Sequence, residues 1–233
     1  MADFDPIFKK TLGHEGGFQA DAADKANYCD GKLIGTNHGI SAIAYKGFYK
    51  KCPTQAQMKA LTIPQAEQIF KKNYWSLVNG DRIANQSIAE LMFQYVIGSG
   101  ASQLSDLKAI ANATAGKKIM AEVDVPFTNA EADLINKLPQ KGYWINLRAW
   151  REAFLKTLVQ KHPEDQKFLT GWLNRLNSYT YSGPNDAKGN LLNQIVTKVK
   201  NAYTGQHKWW FIGGTILAGI GIGKVVHHNS KRK

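Results

Sequence analysis

The stretch His14-Glu15-Gly16-Gly17-Phe18 puts a carboxylate at the expected end of a helix. Upstream, Phe4, Ile7, Phe8 and Leu12 recur at helical spacing, which predicts a helix over residues 4–14 with one buried face. Gly16 and Gly17 are expected to stop it, because glycine tolerates the left-handed backbone that ends many helices. Glu15 is then expected where helix gives way to loop, half buried and half open to a cleft. Desolvation at such a place raises a carboxyl pKa and lets the group donate a proton near neutrality. The plainer reading is a solvated Glu ahead of a glycine cap.

Downstream of Phe18 the chain changes character. Between Gly17 and Gly39 it is polar, rich in Gly and Asp, and poor in helical periodicity. It reads as a long loop or short hairpin beside Glu15, and long irregular segments in compact domains are often functional. The loop carries Asp21, Asp24 and Asp30, then Thr36 and His38 in Gly35-Thr36-Asn37-His38-Gly39-Ile40-Ser41. A glycosidase needs an acid to protonate the leaving oxygen and usually a second carboxylate. In an inverting enzyme that second group activates a water, about 6.5–9.5 Å from the acid. Glu15 with Asp24 suits that division of labour, with Thr36 helping to hold the water. Against it stands the ordinary use of Asp in turns.

The rest of the chain reads as helical. Thr62 and Pro64 mark a helix start before Gln65–Phe70. Ile88, Leu91, Met92, Tyr95 and Val96 form an apolar stripe ending at Gly98-Ser99-Gly100, and Thr128 with Glu131 resembles a capping box. Leu147, Trp150, Phe154 and Leu158 repeat at spacings of three and four, as do Leu169, Trp172, Leu173 and Leu176; core packing is the plain use of such aromatics. The expected division is a first domain over 1–105, a second helical unit over 106–181, and a linker with a basic helix over 182–208. A transmembrane helix over 209–226 and a basic tail over 227–233 complete it. The fold class is mainly α.

The net charge of +12 over 233 residues is uneven. Residues 187–233 carry eight Lys or Arg and no acid, which suits an anionic polymer or a membrane surface. Trp209 to Gly223 is fifteen residues without charge, and 209–226 as a helix would reach about 27 Å, close to a hydrocarbon core of about 30 Å. Trp209 and Trp210 suit an interfacial belt and Lys224 can snorkel. Gly219 and Gly223 form a G-x-x-x-G pair that weakly favours self-association. Lysines flank both sides of the segment, so its orientation stays open. The N-terminus lacks the basic start and apolar stretch of a signal peptide. Nucleic acid is not an expected partner, because no finger spacing, RNA-recognition aromatics or phosphate loop is present. No cofactor and no metal site is expected, since the six histidines are scattered apart from His227-His228. Cys29 and Cys52 read equally as a disulfide or as two thiols.

The ordered set Glu15-Gly16-Gly17-Phe18, Asp24 and Thr36 with Gly39-Ile40 resembles glycoside hydrolase family 108, N-acetylmuramidases of lysozyme-like fold from phages and bacteria. The resemblance continues through Leu61-Thr62, Ala66, Tyr74-Trp75 and Ile88-Ala89 to Phe93, ending near Ser99-Gly100. Trp150-Arg151, Phe168-Leu169 and Gly171-Trp172-Leu173-Asn174-Arg175 are similar to the helical peptidoglycan-binding unit that often follows this domain. The resemblance implies Glu15, Asp24 and Thr36 as the catalytic set. It implies substrate contacts from His38, Gln94, Trp150, Trp172 and Arg175, with peptidoglycan glycan strands as the partner. Two departures stand out. Thr36 follows Asp24 by twelve residues because 27–33 look inserted, and Gln94 occupies a position where the family commonly has Asp. Lytic transglycosylase chemistry with the same Glu, a non-catalytic wall-binding or phage structural role, and holin-like action of the tail remain as other readings.

Overall fold

A computed structural model of the chain describes residues 1–13, 16–22 and 24–184. Within them the protein is mainly helical, with two small hairpins between the first and second helices. Helix α1, Phe4–Leu12, starts at Asp3, whose carboxylate accepts from the Asp5 amide. It ends earlier than expected. Gly13 caps it in right-handed backbone, and its N–H closes onto the Lys9 carbonyl at 3.0 Å. Gly17 does not adopt the left-handed conformation, so the helix does not end on a Gly17 reversal. Glu15 and His14 lie outside the described residues.

Phe4, Ile7 and Phe8 are buried on α1 as predicted, Thr11 joins them, and Leu12 is half-buried. Phe4 packs on Phe8 (5.7 Å between centroids), Trp75 (5.4 Å) and Phe93 (5.6 Å), and Phe8 packs on Phe70 (5.8 Å). These rings come from α1, from α4 (Ile63–Asn73), from the 3-10 turn Trp75–Val78 and from α5 (Gln86–Ser99). Between α1 and α4 lie α2 (Ala42–Tyr49) and α3 (Gln55–Lys59). The start of α4 is the expected one: Thr62 and Gln65 cap each other reciprocally, with Pro64 in the first turn. Helix α5 exceeds its predicted stripe. Ala89, Phe93 and Ile97 are buried along with Ile88, Leu91, Met92, Tyr95 and Val96, as befits a helix surrounded on every side.

Beyond Gly100 follow α6 (Leu104–Ala115), α7 (Asn129–Asn136), α8 (Gln140–Lys161) and α9 (Gln166–Asn177). Thr128 and Glu131 form the expected capping box of α7. Helix α8 packs on α5, α6 and α9. The Tyr95 hydroxyl donates to the Leu147 carbonyl, and the Tyr143 hydroxyl donates to that of Leu107 at 3.1 Å. One continuous apolar core thus runs from Phe4 to Tyr179. Among the described residues no helix is long and apolar enough to cross a membrane. The segments expected as basic helix, membrane span and basic tail, from 185 onward, lie outside the described residues, as do Gly219 and Gly223.

Candidate active site

The polar stretch after Gly17 folds as two hairpins. Strands β1 (Tyr28–Cys29) and β2 (Lys32–Leu33) pair antiparallel across Asp30-Gly31, and β3 (Thr36–Asn37) and β4 (Ile40–Ser41) pair across His38-Gly39. All four turn residues have positive φ: 48° and 77° in the first turn, 49° and 73° in the second. That is the backbone a two-residue hairpin turn demands, and it explains a Gly at the second place of each. His38 is therefore a turn residue, half-buried at the tip of the second hairpin.

The segment that looks inserted, 27–33, is largely the first hairpin, and the chain returns to its starting point. The Asn27 carbonyl accepts from both Ile34 N–H (2.8 Å) and Gly35 N–H (2.9 Å). Its side chain then meets Thr36, whose Oγ1 donates to Asn27 Oδ1 at 2.6 Å. The twelve-residue gap between Asp24 and Thr36 thus collapses around Asn27. Gly35 permits this approach: its φ is 106°, and a Cβ there would lie 2.5 Å from the Gln19 carbonyl oxygen and 2.8 Å from the Phe18 ring.

Thr36 is also joined to the strand that leaves Gly17-Phe18. Gln19 and Thr36 exchange two backbone hydrogen bonds, at 2.9 and 2.8 Å. Asp24 is buried and caps the short turn Lys25–Asn27, its Oδ1 accepting from Ala26 N–H at 2.9 Å. The Asn37 amide donates to the Met58 and Lys59 carbonyls and fastens β3 to α3, while the Lys59 ammonium sits 5.0 Å over the Phe18 ring. The structure therefore brings Asp24 and Thr36 into one hydrogen-bonded frame with Gln19 and Asn27. Neither Gln19 nor Asn27 stood out in the sequence. The bonds that join them to each other and Asn27 to Thr36 span eight and nine residues, which no local pattern announces.

The other expected contacts are dispersed. Gln94 Nε2 donates to Thr11 Oγ1 at 2.8 Å, clamping α5 to the last turn of α1. Trp150 is buried, its ring stacked on Phe154 at 5.6 Å and tilted against Tyr95 at 5.7 Å. Trp172 is half-exposed on α9 and stacks on Phe168 at 5.9 Å. Arg175, also on α9, holds its charge near the Tyr179 side chain. Burial pushes the Tyr179 hydroxyl up to about 12, and the Arg175 charge works against that rise. The Lys10 ammonium caps the Tyr179 ring at 4.4 Å while pairing with Glu90 at 2.9 Å, so the segment just after α9 meets α1 and α5 at Lys10.

The two cysteines are joined. Cys29 in β1 and Cys52 after α2 form a disulfide with their Cα atoms 5.8 Å apart, which ties the first hairpin to the helical body. Asp30 lies close to both sulfurs, but a bonded pair offers no thiolate to a metal ion. A groove of about 690 Å³ between α2 and α4 is lined by Phe48, Lys50, Lys71, Lys72 and Asn73, and it includes none of the expected site residues.

Residues 8–100, the stretch holding Asp24 and Thr36, match the model of a glycoside hydrolase family. That family is Glycosyl hydrolase 108. Among solved structures, Brucella abortus SagA resembles the chain with a TM-score of 0.57 at 20% identity, over 87% of this chain and 97% of that one. At that identity the likeness is one of fold. No curated protein matches the sequence.

Proposed function

We propose that the protein is an N-acetylmuramidase, hydrolysing the bond between N-acetylmuramic acid and N-acetylglucosamine in peptidoglycan. Glu15 is the general acid, Asp24 takes a proton from the attacking water, and Thr36 orients that water. The observation that carries this reading is the frame around Asn27, which joins Asp24, Thr36 and the strand from Gly17-Phe18 inside the family-matched residues. Water attack on the sugar face opposite the acid gives inversion. His38, at the tip of the second hairpin, and the half-exposed Trp172 and Arg175 on α9 are proposed to contact the glycan. Gln94 and Trp150 support the site from within the fold, as clamp and packing.

Residues 209–226 are proposed as a membrane anchor on the strength of their uncharged sequence and flanking lysines, with the hydrolase domain on the cell-wall side. Fractionation of cells making the chain with and without 209–233 tests this. Recovery of both forms in the soluble fraction overturns it.

The catalytic reading is tested by Glu15→Gln. Release of reducing sugar from purified peptidoglycan is expected to fall roughly a hundredfold or more, the usual scale for loss of a general acid. Undiminished release sinks the assignment.

A further inference from the structure

Asn27 is completely buried, and every polar atom of its side chain has a partner. Nδ2 donates to the Asp21 carbonyl at 2.9 Å and to Gln19 Oε1 at 3.2 Å. Both are fixed as acceptors: the first is a backbone carbonyl, and the second already accepts from Asp21 N–H at 2.8 Å. The amide is therefore oriented by a backbone acceptor, and Oδ1 must face Thr36. An amide oxygen accepts only, so the 2.6 Å contact uses the single proton of the Thr36 hydroxyl. What Thr36 has left for any further partner is lone pairs.

From this inventory we infer that Asn27 is a positioning residue, which makes the Thr36 hydroxyl an obligate acceptor toward the attacking water. The inference rests on the role of Thr36 proposed above. The water donates one O–H to Thr36, and its other proton passes to Asp24. Its oxygen bonds to the anomeric carbon as the glycosidic C–O bond breaks, and the leaving oxygen is protonated by the general acid. A Thr36 free to rotate would instead donate to the water oxygen and occupy a lone pair needed for attack. The bonds of the same amide nitrogen to Gln19 and to the Asp21 carbonyl are what hold Oδ1 in that direction.

The test is a double-mutant cycle on the full chain, with peptidoglycan as substrate and reducing ends as readout. Asn27→Ala and Thr36→Val each lower kcat by roughly 10- to 100-fold, the scale of a misplaced reacting group. The apparent KM stays within about twofold, because the groups act on water and not on the sugar. The double variant is no slower than Thr36→Val alone, since Asn27 acts through that hydroxyl. Multiplying effects in the double variant, a loss confined to KM, or a fully active Asn27→Ala overturns the inference. Should Asn27→Ala fail to fold, Asn27→Asp carries the test. It keeps an acceptor for Thr36 and so retains a kcat well above that of Thr36→Val; a loss equal to Thr36→Val overturns the inference. A wild-type chain that leaves peptidoglycan intact overturns the muramidase reading itself, whereas wild-type cleavage with an unaffected Asn27→Ala overturns this inference alone.

Discussion

The helical body and the hairpin lobe are held together by different physics. In the body, Phe4, Phe70, Trp75 and Phe93 interlock with almost no exposed surface, and burial of large rings supplies the stability. In the lobe, residues 16–41, the strands are two residues long. Order there comes from one disulfide, four left-handed turn residues and the amide network of Gln19 and Asn27. The interlocked rings at the centre of the body present no polar groups to a substrate. A lobe of this kind presents them, at the cost of depending on single bonds. The proposed chemistry falls where the two meet.

The sharpest way to break the contrast is to hollow the body. Phe93→Ala removes a ring that touches Phe4, Phe70 and Trp75, and is expected to cost about 3–5 kcal/mol, read by denaturant unfolding with circular dichroism. A cost under about 1 kcal/mol would mean that these rings do not carry the fold. Replacing Cys29 and Cys52 by Ser comes next. It should lower stability by about 2–4 kcal/mol, while the helical signal of the folded state is kept and protease cuts first within 16–41. Equal loss of helix and lobe in one step would erase the proposed distinction.

Gly35→Ala acts on the lobe alone. Its Cβ meets the Gln19 carbonyl in a backbone conformation that side chains avoid, for an expected penalty of about 1–3 kcal/mol and a fall in activity as Thr36 shifts. The smallest effect belongs to Asp106, in the first turn of α6. Burial, and then the charge of Asp124, push its carboxyl up to about 8. The folded state then holds a proton that the unfolded state releases, so this group's contribution to stability declines as pH rises from the ordinary carboxylate range near 4 to about 8. Asp106→Asn should raise Tm modestly at pH 8 and flatten that slope, and a lowered Tm at pH 8 would contradict it.

Features that depend on near neighbours in sequence were legible there. The helix start at Thr62 and Pro64 and the capping box of Thr128 with Glu131 need residues at most three apart, and the stripe on α5 needs one helix. Features made by chain return were not. The stretch read as a long loop or a short hairpin, but two-residue strands show no alternation to fix two hairpins or their register. Asn27 looked like part of an insertion until the hairpin brought Thr36 back to it. The helix ends at Leu12 with Gly13 as its cap, short of the end that Gly16 and Gly17 suggested. For Trp150, spacing alone does not distinguish a core ring from one that stacks on sugar; its neighbours Phe154 and Tyr95 do.

The most direct test of the account is mass spectrometry of the fragments released when the wild-type chain digests purified peptidoglycan. Hydrolysis by a water oriented on Thr36 leaves reducing N-acetylmuramic acid ends, and that is the predicted product. Anhydro-muramic ends would mean that no water attacks, and would contradict it.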